Sequence, residues 1–286
     1  MDRTTATNYV TVAGKRVFVD RNLSTGVAGT TQTAADHTAW QEEIMAVIED
    51  AGLVGDAGDN TQLLQAQRLK RVLHVLVFTP AGATLDGVAI SWTNGANWIV
   101  PAGVLGADAE AVGGGGGSGA SYGTGAIAGA GGGGGRARGR VPLTPGAAIA
   151  IHVGLGGAAG ILTGVTPSSG GAGGTTSIGS LMTALGGYGG LAMSGVAFGG
   201  SGIGGSAAGG QYNESGGPGS LGIALGGGAY YSSIGGAPGG GGMNVPGVSA
   251  GPSDGSPGLF AGQGANGSMN GGKGALGATG KIIMVY

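Results

Sequence analysis

The sequence predicts a mainly β and irregular fold. It has a short α-helical N-terminal region, then a small β unit, then packed extended glycine helices of the polyglycine II type. Three observations carry this. Of the 286 residues 74 are Gly, concentrated in blocks from Gly113 onward such as Gly113 to Gly119, Gly129 to Gly135, Gly186 to Gly190 and Gly235 to Gly242. Helix-period apolar stripes occur only before about residue 76. Strand-length apolar stretches between turn signals follow, and one closes the chain.

Three readings of the glycine tract compete. Collagen requires glycine at every third position, and the unbroken runs Gly113 to Gly117 and Gly131 to Gly135 exclude it. A flexible linker is polar random coil, whereas this tract carries Ile, Leu, Val, Met, Tyr and Phe with almost no charge. The third reading, favoured here, is a bundle of extended helices with about three residues per turn and no internal hydrogen bonds. Each helix must then bond to its neighbours, and only glycine lets backbones approach from several sides. Ordering a residue costs about 1–2 kcal/mol, while a net hydrogen bond returns about 0.5–1.5 kcal/mol. A bare glycine lattice is therefore marginal and needs interleaved apolar side chains, a flanking sheet or partner chains.

Taken in order, residues 1–35 read as an extended segment with one strand candidate, Arg16 to Asp20. Residues 36–76 read as a helical connector. Thr33 with Asp36 forms a capping-box pattern, and Trp40, Ile44, Val47, Ile48 and Ala51 share one helical face. Asp59 with Gln62 suggests a second box, opening a helix from about Thr61 to Val75. Two such helices bury little, so packing against other chains is expected, with an intramolecular hairpin as the alternative. Residues 77–112 read as a β connector, with strands at Val75 to Thr79, Val88 to Thr93, Asn97 to Val100 and Ala107 to Val112. Residues 113–286 form the glycine-rich part. Within it, Arg138 to Val141 and Ala147 to Val153 look like a hairpin pair, and Lys281 to Val285 lies in a closing strand that pairs back into the β unit.

Composition excludes several functions. A net charge of −2 gives no field for nucleic acid or an anionic membrane. With no Cys there are no disulfides or thiolate metal sites. No stretch is long and apolar enough to insert into a membrane, and the first residues lack a signal-peptide pattern. After Gly113 the only acids are Glu214 and Asp254 and the only histidine is His152, too few to expect catalysis or a cofactor. Gly154 to Ala159 fits a loose G-x-G-x-x-A, but neither the helix nor the acid that a dinucleotide site needs follows it.

Several segments together resemble bacteriophage and prophage tail fibre proteins. They are AWQEEIMAVIEDAGL and DNTQLLQA within Thr33 to Ala66, the lead from Trp98 to Val104 into the glycines, Val141 to Gly157, Gly173 to Ser180, Thr183 to Gly190, and the terminal Gly277 to Tyr286. The resemblance implies a virion protein assembled in the host cytoplasm. It implies a homotrimer whose N-terminal region attaches to tail or baseplate proteins. Its glycine-rich domain would bind a host-surface glycan or outer-membrane protein through loops between glycine helices. The alternative is a structural glycine-rich surface protein of a bacterium.

Candidate contact residues lie in the interruptions: Tyr212 and Asn213, Tyr230 and Tyr231, and Met243 and Asn244 at the start of a Pro/Ser/Gly-rich stretch reaching Phe260. Tyrosine offers a flat apolar ring and a hydroxyl, and specificity tends to sit in loops on a rigid scaffold. The tyrosines could equally fill space between glycine helices. Arg136, Arg138 and Arg140 alternate, so in a strand they share a face. That face is a possible anion contact, for instance with lipopolysaccharide phosphate. The blander reading, which is favoured, is a solvated face or pairing with Asp108 and Glu110.

Overall fold

The computed structural model describes residues 10–12, 15–17, 20–26, 28–31, 34–69, 73–224, 230–239, 248–249 and 253–286. The chain divides into two compact units, 1–72 and 73–286. The stretches read from the sequence as a β connector and a glycine-rich part both fall in the second.

In the first unit, β1 (Val10–Val12) and β2 (Lys15–Val17) pair antiparallel. Helix α1 spans Ala34–Asp50 and α2 spans Gln62–Leu69. Thr33 and residues 70–72 of the expected helices lie outside the described residues. The helices meet around Ile48 and Ala66, both buried, but Trp40, Ile44 and Val47 stay exposed. Over its described residues α2 reaches about 12 Å at 1.5 Å per residue, half of α1. The cap of α2 differs from the expected box. Thr61 accepts the first helical bond, from the Gln65 amide. Asp59 sits two residues earlier, its carboxylate accepting from the amide and hydroxyl of Thr61. Those bonds hold its pKa below the ordinary aspartate value. Gln62 reaches the Asp56 amide instead.

The second unit starts as a β-sandwich. A seven-stranded antiparallel sheet comprises β3 (Val75–Thr79), β4 (Gly82–Leu85), β5 (Val88–Ile90), β7 (Gly106–Val112), β9 (Arg136–Pro142), β17 (Tyr212–Glu214) and β21 (Lys281–Val285), in the order β17-β9-β7-β21-β3-β4-β5. A five-stranded sheet orders β16 (Ala207–Ala208), β14 (Met182–Ala184), β13 (Thr176–Ile178), β10 (Ala148–His152) and β6 (Asn97–Ile99). Strand alternation builds the core between them. On β7, Ala107, Ala109 and Ala111 face inward and leave room for Ile151, Ile178 and Met182, while Asp108 and Glu110 face out. Phe78 packs edge-on against Trp92 at 4.8 Å. The closing strand β21 does pair back, between β3 and β7. The expected β9–β10 hairpin does not form: β9 pairs with β7 and β17, and β10 with β6 and β13.

Strands of the sandwich continue directly into glycine runs. The runs are 1 (113–120), 2 (127–135), 3 (154–161), 4 (168–174), 5 (185–192), 6 (199–206), 7 (215–221), 8 (232–238), 9 (253–260), 10 (262–269) and 11 (272–280). Run 1 leaves β7 and run 2 returns into β9. Run 3 leaves β10 and run 4 enters β13. Run 5 leaves β14 and run 6 enters β16, while run 11 enters β21. Thr176 fixes the seam: its buried hydroxyl donates to the Val112 carbonyl and accepts from the Gly154 amide.

Bonding among the runs repeats every three residues. Gly113, Gly116 and Gly119 donate to Gly135, Gly132 and Gly129 of run 2. Gly114, Gly117 and Ala120 donate to Gly174, Gly171 and Ser168, and Gly115 and Ser118 donate to Ala278 and Ala275 of run 11. The carbonyls of run 1 accept from runs 3, 5 and 10 through Gly157, Gly187 and Ala265, among others. Run 1 thus has six bonded neighbours. Run 2 also has six, donating to runs 5, 7 and 10 and accepting from 1, 6 and 8. The two shells share runs 5 and 10, which stacks the bundle in layers of runs 4-5-6, 3-1-2-7 and 11-10-8, with run 9 beneath run 10. At the interior glycines a side chain is not tolerated: a Cβ on Gly116 would overlap the Tyr188 carbonyl, and one on Gly131 the Gly116 carbonyl. Where the interior is not glycine it holds alanine, as at Ala128, Ala130 and Ala265, or short polar groups that join the bonding. The Ser118 hydroxyl accepts from the Ala275 amide, and that of Ser268 donates to the Gly119 carbonyl.

Candidate functional site

Each outgoing run turns back at the end of the bundle remote from the sandwich. The turns use left-handed backbone where glycine is needed, at Gly123 and Gly125, Gly164, Gly195 and Gly271. They are tied together. β8 (Ser121–Tyr122) pairs parallel with β15 (Met193–Ser194), and the Asn270 carboxamide oxygen accepts from the Gly125 amide. Bridges join Ile127 to Phe198 and Met269, and Met269 to Ser253. Ile127 and Met269 are fully buried and plug the end. β18 (Ile223–Ala224), β19 (Tyr230–Tyr231) and β20 (Val248–Ser249) form a small sheet there. Outside the plug the loops expose Tyr122, Val165, Val196, Phe198, Leu221 and Ile223; Val196 is 86% exposed. The charged residues at this end are few: Asp254, whose carboxylate accepts from the Lys273 amide, and Lys273 itself.

The sequence-predicted contact residues separate. Tyr230 and Tyr231 lie at this remote end, in β19. Met243 and Asn244 fall outside the described residues. Tyr212 and Asn213 sit at the opposite end, in the edge strand β17 of the seven-stranded sheet. The Asn213 side chain locks its own turn, accepting from the Gly210 amide and donating to the Gly210 carbonyl. Tyr212 lies under the Arg138 guanidinium, 5.2 Å from its carbon to the ring centre.

The arginines form a paired ladder on the outer face of that sheet. Arg136 donates to Glu110 at 2.8 Å and stands 3.6 Å from Glu214; Arg138 stands 3.7 Å from Glu214. Arg140 is directly opposite Asp108 in the β7–β9 register. The bond to Glu110 raises the Arg136 pKa further above its ordinary value. A shallow cavity of about 250 Å³ opens beside it, between Glu110, Lys281 and Phe260. Glu214 and Asp254 lie at opposite ends of the bundle, so they make no carboxylate pair. His152 caps β10 on its exposed side. Among the described residues no cluster of His, Asp and Glu suits a metal ion, and no helix is long and apolar enough to cross a membrane.

The family model for a glycine-rich domain matches residues 91–284. This chain belongs to that glycine-rich domain family. The matched span opens at Ser91, ahead of every glycine run, and ends inside β21. In this chain the matched span therefore includes sandwich strands as well as the bundle they hold. No curated protein matches the chain.

Sequence reasoning missed Tyr122, Val165, Val196 and Phe198. Their signal was present: each lies in a short interruption, SYGTGAIA, ILTGVTP or AMSGVAF, between two glycine blocks. Such an interruption marks a reversal whenever the flanking blocks run out and back.

Proposed function

We propose that this chain is the receptor-binding part of a bacteriophage or prophage tail fibre, carried in the virion, with its glycine-rich domain as the adhesive end. The observation that carries this reading is the remote loop cluster. Exposed Tyr122, Val196 and Phe198 project from reversals tied to one another, on a bundle whose central runs are bonded on every side. A rigid scaffold presenting variable loops suits recognition. The three-residue bonding period is the pattern that polyglycine II helices give, and we read the runs as such helices. The loop end is apolar and nearly uncharged, which fits a patch on an outer-membrane protein better than a phosphorylated glycan. The N-terminal unit joins the tail.

Fluorescently labelled full-length protein should stain some bacterial strains and not others. Replacing Tyr122, Val196 and Phe198 together by Ser should abolish staining without lowering the thermal midpoint by more than a few degrees. Replacing Tyr212 should leave staining intact, because it lies at the other end. Undiminished staining by the triple variant overturns the assignment of the loops.

A further inference from the structure

The cavity beside Arg136 is built from both parts of the second unit. Its floor is the outer face of the seven-stranded sheet, where β7, β9 and β21 present Glu110, Arg136, Lys281 and Ile283. Its walls come from the bundle: Pro238 near the end of run 8, and Phe260 at the turn between runs 9 and 10. Hydrogen bonds fix both walls. The Gly239 amide, next to Pro238, donates to the Gly134 carbonyl of run 2. The carboxamide oxygen of buried Gln263 accepts from the amides of Leu259 and Phe260 and so sets the Phe260 backbone. The charges here are not equivalent. Arg136 is bonded to Glu110 and shares Glu214 with Arg138. Glu110 spends one carboxylate oxygen on that bond. No acidic residue pairs with the half-buried Lys281 among the described residues. Phe260 completes the site as an apolar wall, 57% exposed.

We propose that this cavity binds one sugar-acid residue, a pyranose ring bearing a carboxylate. The Lys281 ammonium pairs with the ligand carboxylate. The second oxygen of Glu110 accepts from ring hydroxyls. The C–H face of the ring lies against Phe260, Pro238 and Ile283. Three features select this chemistry. The first is size: about 250 Å³ falls just below the roughly 300–1,000 Å³ of sites for drug-sized ligands, so one ring fits and a chain does not. The second is charge. One unpaired cation suits one negative charge. A phosphate dianion is disfavoured, because Glu110 lines the same space and the Arg136 fork that would clamp phosphate is already bonded. The third is hydrogen bonding. An ionised carboxylate only accepts, so Glu110 calls for ligand donors, which a sugar has and an aromatic acid lacks. The site lies at the sandwich end, away from the remote loops, and is independent of the receptor reading.

The test titrates the full-length protein with methyl β-D-glucuronide, followed by saturation-transfer NMR. The expected result is saturable binding with a dissociation constant on the order of 1 mM, as the efficiency of so small a ligand allows. Methyl β-D-glucoside, which lacks the carboxylate, should bind about tenfold more weakly or worse, the worth of one charge-assisted hydrogen bond. Benzoate and inorganic phosphate should also bind more weakly than the glucuronide. These comparisons need only the wild-type chain. Lys281→Gln should then weaken the glucuronide about tenfold and Phe260→Ala severalfold, each keeping its thermal transition, because neither side chain belongs to the buried core. Absence of glucuronide binding by the wild type overturns the proposal. So does equal or tighter binding of glucoside, benzoate or phosphate, and so does undiminished binding by a folded Lys281→Gln. The probe is soluble and involves no cells, so its failure is distinct from a failure of staining by the remote loops.

Discussion

The sandwich and the bundle are made from one continuous backbone and held by opposite means. In the sandwich, side chains interdigitate: Phe78, Ile151, Ile178 and Met284 are fully buried, and the backbone bonds only sideways within each sheet. In the bundle the side chains are largely gone, and each central run bonds to six neighbours. The sandwich gains its stability from apolar area removed from water. The bundle relies on hydrogen bonds of small individual worth, set against the high ordering cost of glycine. The difference teaches that the bundle borrows its order. Strands fix where most of the runs meet the sandwich, which sets their register at that end.

This contrast can be broken at either region. The largest effect is expected for Gly116→Ala, whose Cβ would overlap the Tyr188 carbonyl in run 5. No rotamer change relieves a backbone clash, so the loss should exceed about 4 kcal/mol, in the exceptional class for one substitution. It should read as loss of a cooperative thermal transition, while outward Tyr188→Ala keeps one. Phe78→Ala should cost about 3–5 kcal/mol through its cavity; a lowered but still cooperative transition is the expected trace. Thr176→Val, at the seam, keeps the shape and removes both hydrogen bonds. It should cost about 1–3 kcal/mol, with hydrogen exchange accelerated at Gly154 ahead of the sandwich amides.

The smallest effect is electrostatic and confined to the sandwich. The His74 ring and the Val75 amide bond to Asp86 and hold its pKa below the ordinary aspartate value. A depressed carboxylate contributes stability above its unfolded pKa and loses it as pH falls through the folded one. Acid titration of unfolding should therefore show a slight decline below the usual aspartate range, flattened in Asp86→Asn. Asp86 sits at φ 52°, a conformation asparagine tolerates well, so the variant should stay folded.

Much of the fold is legible in the sequence because its signals are local. Glycine blocks bounded the runs, and the apolar stretches at Val75 to Thr79 and Lys281 to Val285 announced β3 and β21. Pairing was less legible. β4 hid because Pro80-Ala81-Gly82 reads as a separator, although Gly82 already pairs with Thr79. β9 and β10 are near in sequence but belong to different sheets, because their partners are set by where distant runs return. The candidate site suffered the same way. Tyr212 and Tyr231 sit in similar-looking interruptions, yet one falls where a strand meets the sandwich and the other where a run reverses. Only counting outward and inward passes separates the two.

The three-residue bonding period also sets rules for how such a chain can change length. One residue inserted within run 1 would turn everything beyond it by about 120° about the run. Gly117 would then point where Ser118 now receives the Ala275 amide, and every later bond would miss its partner. Insertions inside a run are tolerable only in threes, and only if the neighbouring runs lengthen with it. At the reversals, such as 123–126 or 195–198, an insertion is not bound to that period, provided the ties at Gly125 and Phe198 are kept. A lineage diversifying this protein is thereby steered to vary its loops freely while its lattice stays fixed in step.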